Sequence, residues 1–90
     1  MTQEVFERGL TKEWVALGDL ITVESDTTYY IQNRGPDVLV ALQASSQPEA
    51  DNDGGDLVLP NVQAEYIKGT QDLYLRAFHN NCSINITKKG

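Results

Sequence analysis

Cys82-Ser83-Ile84-Asn85-Ile86-Thr87 alternates apolar and polar residues without a break, and this period of two decides the fold. Successive side chains of a strand point to opposite faces, so the pattern predicts a half-buried strand with Cys82, Ile84 and Ile86 inward. Just upstream, Asp72-Leu73-Tyr74-Leu75-Arg76-Ala77-Phe78 repeats the period with Leu73, Leu75 and Ala77 inward. The connection His79-Asn80-Asn81 is short and turn-rich, which predicts an antiparallel hairpin. Further out, Val38-Leu39-Val40-Ala41-Leu42-Gln43-Ala44 is apolar and β-branched enough for a central strand, and Thr27-Thr28-Tyr29-Tyr30-Ile31-Gln32 is β-branched and aromatic. Asn33-Arg34-Gly35-Pro36-Asp37 punctuates a turn between them, so this pair also reads as a hairpin. Lys12–Leu17 and Leu20–Val23 read as strands on either side of Gly18-Asp19. Leu57-Val58-Leu59 reads as a short strand stopped by Pro60, and Glu65-Tyr66-Ile67 as one that ends before the turn Lys68-Gly69-Thr70. The expected class is all-β, a small antiparallel sandwich or barrel of about six to eight short strands.

The chain has 90 residues, 40% of them hydrophobic. A domain of this size buries only about 60% of its unfolded surface, so it supports one core of modest stability, and self-association is a natural remedy. Residues 12–90 form the expected domain, with Trp14 as a core anchor. Residues 1–11 have no firm period; Val5, Phe6 and Leu10 suit one helical turn or an extended N-terminal arm. A single cysteine excludes an internal disulfide framework and a cysteine-based zinc site. The opening MTQEVFERGL has neither a basic start nor an apolar run of about seven residues, so no secretory signal is expected. Nothing approaches the roughly 20 apolar residues of a membrane helix.

The net charge of −6 is unevenly placed. Between Gly35 and Ile67 there is no Lys or Arg, while Asp37, Glu49, Asp51, Asp53, Asp56 and Glu65 all fall there. Phosphate binding needs clustered cations, so nucleic acid is a poor partner for this chain, and Lys88-Lys89 is too short a basic run to change that. Four of the six acids crowd the segment Glu49–Asp56, within a Ser, Gln, Pro, Asn, Asp and Gly-rich stretch that reads as a solvated loop. The expectation is an acidic tip at one end of the sandwich, facing away from any attachment surface.

Chemistry-bearing clusters are few. Glu49-Ala50-Asp51-Asn52-Asp53-Gly54 begins as a calcium loop does, with acids at alternate positions before a glycine. The bidentate Glu of such a loop would fall on Pro60, and its apolar eighth position on Asp56, so hydrated carboxylates are the better reading. His79 and Cys82 are spaced for two ligands on one metal, but a structural zinc needs four, and Cys82 belongs to an inward apolar row. As a nucleophile and base the same pair lacks an orienting group and oxyanion donors. No catalytic, cofactor or metal site is expected, and an enzyme is not. Asn81-Cys82-Ser83 and Asn85-Ile86-Thr87 match the N-glycosylation pattern, as Asn, Ser and Thr-rich strands do by chance.

The outward faces carry more. With Leu73, Leu75 and Ala77 inward, Tyr74, Arg76 and Phe78 share the opposite face, and an aromatic–Arg–aromatic row is what protein interfaces favour. Of Tyr29 and Tyr30, one must face away from the core; Tyr30 joins the interface candidates, together with Val5 and Phe6 in the arm.

Tyr30-Ile31-Gln32-Asn33-Arg34-Gly35 runs into Val38-Leu39-Val40, followed by Pro48, Gly54-Gly55, Leu57 and Pro60. Gly69-Thr70-Gln71-Asp72-Leu73-Tyr74-Leu75-Arg76-Ala77 then leads to a closing strand that ends at Thr87. This order of turns and strands resembles the small β-rich virion proteins of tailed bacteriophages, of the head-decoration, head-fibre or tail-accessory type. The resemblance implies a non-enzymatic structural protein without cofactors, made in the host cytoplasm and residing in the virion. It implies a homo-oligomer, a trimer before other sizes, that binds the major capsid protein or another virion protein. Two other functions suit parts of the sequence: an acidic inhibitor that imitates DNA, motivated by the net charge, and a host-glycan-binding virion accessory module that uses exposed aromatics.

Overall fold

The computed structural model describes residues 4–52 and 54–89. Eight strands follow one another along the chain: β1 (Glu4–Leu10), β2 (Val15–Ala16), β3 (Thr28–Pro36), β4 (Leu39–Ala44), β5 (Asp56–Val58), β6 (Gln63–Ile67), β7 (Asp72–Ala77) and β8 (Cys82–Lys89). A single helical turn, α1 (Leu17–Leu20), lies between β2 and β3. They form two four-stranded sheets, sheet A in the order β1-β8-β3-β6 and sheet B in the order β2-β7-β4-β5, with every pairing antiparallel. Each strand of sheet A has its chain neighbour in sheet B, which is the eight-stranded jelly roll, a double-sheet β-sandwich. The expected all-β sandwich is the observed fold.

The alternation that predicted β7 and β8 places their side chains as expected. Cys82, Ile84 and Ile86 are buried from sheet A, and Leu73, Leu75 and Ala77 from sheet B. Tyr29, Ile31 and Tyr66 join them from β3 and β6, and Leu39 and Val58 from β4 and β5, to fill the space between the sheets. Ile84, Ile86, Leu39 and Leu75 have no exposed surface.

The two expected hairpins are not hairpins. β3 pairs with β8 and β6 in sheet A, while β4 pairs with β7 and β5 in sheet B, so Pro36–Leu39 is a corner between sheets. The segment His79-Asn80-Asn81 likewise carries the chain from β7 in sheet B to β8 in sheet A. The turn signals were real, but their chemistry directs the chain out of the sheet. The register of β3 shifts between Asn33 and Gly35, Gly35 sits at φ +79° where other residues are strained, and Pro36 has no N–H to offer a ladder.

Asp37 then ties the two corners together. One of its carboxylate oxygens accepts from the backbone N–H of Val38 at 2.7 Å, the other from those of His79 at 2.6 Å and Asn80 at 2.7 Å. Asn33, fully buried, joins the same corner to the β5–β6 connection. Its amide nitrogen donates to the carbonyls of Asp37 and Val58, both at 2.8 Å, and its amide oxygen accepts from Gly35 N–H at 2.8 Å.

The N-terminal third departs most from expectation. Residues 4–10 take the extended alternative and pair with β8 along their whole length, so they form an edge strand of the sandwich rather than an arm outside it. The strand expected over residues 12–17 shrinks to Val15–Ala16, and no strand forms over 20–23. Gly18-Asp19 sits instead in the single turn of α1, which Ile21 N–H closes onto the Leu17 carbonyl at 3.0 Å and which buries Leu17 and Ile21 in the core.

Candidate interaction surface

The two sheets present unlike outer faces. On sheet A the register sets Glu7, Asn85, Gln32 and Gln63 side by side across all four strands, and Val5, Thr87, Tyr30 and Glu65 in the next row. This is the polar exterior usual for an antiparallel sheet with one face in a core. Its carboxylates, Glu7 and Glu65, stand on opposite edge strands with neutral side chains between them, so no row of acids crosses the face. Sheet B is largely apolar on both faces, its outer one ending in the exposed Asp72 opposite Ala44. Outward from β4 point Val40, Leu42 and Ala44, flanked by Tyr74 and Arg76 of β7, Ala16 of β2 and Leu57 of β5.

Trp14 closes one side of this outer face. It extends the line of β2 to the level of Arg76, whose guanidinium carbon lies 5.1 Å from the centre of the indole ring, within cation–π range. Trp14, Val40 and Tyr74 are buried, with Ala16, Leu42, Ala44 and Phe78 half-buried around them. Trp14 is therefore an anchor, as expected, but of a second apolar cluster outside sheet B rather than of the inter-sheet core. Indole Nε1 and Arg76 Nε are buried without an acceptor among the described residues. The guanidinium has no acidic partner there and only a long contact, 3.5 Å, to the Ala77 carbonyl. A half-buried, unneutralised arginine among aromatics is an unfinished electrostatic arrangement that an incoming acceptor would complete.

The loop after β4 lies beside this face and not away from it. Gln47 Nε2 reaches the Trp14 carbonyl at 3.4 Å, and Gln47, Pro48 and Ala50 line, with Lys12, Glu13 and Trp14, a surface depression of about 400 Å³. The loop expected as a solvated tip is held at its base, where a half-buried proline and a long amide anchor it at Trp14. Its acids Glu49 and Asp51 are exposed, as is Asp56 at the start of β5, and its turns are closed internally, by Asn52 N–H on the Glu49 carbonyl at 3.0 Å and Gly54 N–H on Asn52 Oδ1 at 2.8 Å. Asp53 lies outside the described residues.

The six interface candidates do not make one patch. Tyr74, Arg76 and Phe78 belong to sheet B, with Tyr74 only 6% exposed and the other two half-buried. Val5, 59% exposed, and the half-buried Tyr30 lie in one row on the opposite side of the molecule, outside sheet A. Phe6 pairs with Ile86 and packs against the inter-sheet core. Trp14 and Tyr74, the rings that a glycan surface would use, are covered. Sequence reasoning missed Leu57, 58% exposed on the rim of the apolar face; its signal was the unbroken apolar run Leu57-Val58-Leu59, which leaves an outward apolar side chain whichever way the strand faces.

Cys82 and His79 do not meet as a reactive pair. The thiol is buried in the core, where desolvation pushes its pKa up to about 11, so it holds its proton at neutral pH. The exposed imidazole of His79 packs against Phe78 with the rings tilted and their centroids 4.3 Å apart. Asp37, the most strongly hydrogen-bonded carboxylate, is held below the usual carboxylate range by the backbone N–H of Asn80, with His79 and Val38 adding to the effect, and serves the corner. Among the described residues no helix is long and apolar enough to cross a membrane. No family model matches the chain, and neither a curated protein nor a solved structure shows significant similarity to it.

Proposed function

We propose that the protein is a non-enzymatic structural component of a tailed-bacteriophage virion, which self-associates and attaches to the particle through the outer face of sheet B. The single observation that carries the reading is that sheet B is largely apolar on its outer side as well as its inner one, while the exterior of sheet A is mainly polar, with Val5 and Ile67 exposed in it. The solvated side of an antiparallel sheet is ordinarily polar; here Val40, Tyr74 and Trp14 are already buried together, and the half-buried Leu42, Ala44 and Phe78 with the exposed Leu57 leave an apolar remainder that asks for a protein surface against it. Arg76 on Trp14, flanked by Phe78 and Leu57, supplies the aromatic and guanidinium anchors that interfaces use. The partner is the major capsid protein or another virion protein. Fold alone decides nothing here, since jelly rolls host many functions. The carboxylates are distributed at the edges rather than aligned, so the geometry does not favour a DNA-imitating inhibitor.

Mass spectrometry of purified particles tests the reading. The chain is expected at a copy number in fixed proportion to a capsid or tail protein, and Phe78→Ser together with Leu57→Ser is expected to remove it from particles while the variant stays folded. Absence of the wild-type chain from particles overturns the assignment.

A further inference from the structure

Sheet A ends at β1, and the outer edge of that strand is the longest free edge of the sandwich. The other edges are short or self-repelling. β2 has two residues and β5 three, and a two-fold pairing of β6 about its midpoint would set Glu65 against Glu65. Seven residues of extended backbone at β1 are a ready template for another strand.

We propose that β1 pairs antiparallel with β1 of a second copy of this chain, about a two-fold axis centred on Phe6, so that the two A sheets run together. The register follows from the charges. An axis normal to the sheet brings a residue opposite one of the same parity, which leaves a short set of alignments. Centring on Val5 places Glu4 against Phe6. Centring on Glu7 places Glu7 against Glu7, and centring on Arg8 places Arg8 against Arg8. Centring on Phe6 alone sets Glu4 opposite Arg8 twice by symmetry, Phe6 opposite Phe6, and no like charges together.

Arg8 makes this selective. It shares the side of β1 that faces the core, where Nε donates to the Leu20 carbonyl at 3.1 Å and one terminal nitrogen to the Glu7 carbonyl at 2.7 Å, with the guanidinium 5.7 Å from the centre of the Phe6 ring. Among the described residues it has no acidic partner. An inward-facing charge on an edge strand deters pairing with any strand that does not bring the counter-charge. The second copy brings it in the Phe6-centred register. This pairing rests on the edge itself and is independent of what the apolar face of sheet B binds; it gives closed pairs, where the virion resemblance favours trimers.

Reciprocal charge reversal tests it. Glu4→Arg alone sets Arg against Arg and Arg8→Glu alone sets Glu against Glu, whereas one chain of each restores both unlike pairs. Sedimentation equilibrium at micromolar concentration is expected to show wild-type dimers, each single variant dissociating at roughly ten-fold higher concentration or more, and dimers regained on mixing the two variants one to one. A wild-type monomer or trimer, single variants that pair as well as wild type, or no recovery on mixing overturns the proposal. Should either variant fail to fold, amide hydrogen exchange of the wild type decides. Protection of residues 4–8 is expected to rise with protein concentration, and concentration-independent protection overturns it.

Discussion

Asp37 is a half-buried carboxylate whose value to the fold lies in three backbone N–H groups that have no other acceptor at a corner. The N–H groups of Val38, His79 and Asn80 all point at it, and they lower its pKa by favouring the charged form. Linkage then fixes the sign. Because the folded pKa lies below the unfolded one, the stabilisation is fully present above the ordinary carboxylate range and is lost as the pH falls through that range toward the folded value. Urea denaturation of the wild type is therefore expected to show stability declining on acidification below the ordinary carboxylate range. Asp37→Asn, which removes the titration and one acceptor oxygen, is expected to be less stable at neutral pH and to show a flatter acid limb. An unchanged acid limb would assign the loss to other carboxylates.

At the scale of elements, Asn33 is where two connections meet, the β3–β4 corner and the one between β5 and β6. Its side chain bonds the carbonyls of Asp37 and Val58 and the N–H of Gly35, while its backbone N–H donates to the Val62 carbonyl at 3.0 Å and its own carbonyl accepts from Asn61 at 2.7 Å. Asn33→Ala strands two carbonyls and one N–H in a buried place, a change expected to lower the unfolding free energy by about 3 kcal/mol. Asn33→Asp, which turns a donor into a second acceptor facing two carbonyls, is expected to do at least as much harm, and urea titrations of both check it. The sequence showed Asn33-Arg34-Gly35-Pro36-Asp37 as a turn, yet a turn signal does not say which sheet the chain enters next. That depends on Asn33 and Asp37 finding partners about 25 and 42 residues away, at Val58 and His79, which periodicity cannot see. The strands themselves were legible wherever apolar and polar residues alternate, as in β7 and β8. Around α1 they were not, because Leu17 and Ile21 are buried, and Val23 half-buried, from a segment with no strand period of its own. The candidate surface was half legible: Tyr74, Arg76 and Phe78 do share the outer face, but nothing local in the sequence told that Trp14 would fold over it.

For the whole molecule, the difference between the two sheet exteriors and the placement of charge become one question. The acidic stretch that carries the net charge follows β4, with Gln47, Pro48 and Ala50 against Trp14, so the exposed Glu49 and Asp51 that flank Ala50 stand beside the apolar face while Arg76 sits within it. Rim charges in water are screened and add little to a docked complex, but they shape the approach of a charged partner. Replacing Glu49 and Asp51 with their amides is thus expected to leave the amount of protein bound to particles at saturation unchanged and to flatten the dependence of the attachment rate on salt. Phe78→Ser is expected to do the reverse, lowering the amount bound at every salt concentration with the same salt slope. Stopped-flow attachment measured between low and high ionic strength separates these outcomes. Loss of saturation binding in the amide variant would move the contact from the apolar face to the loop itself.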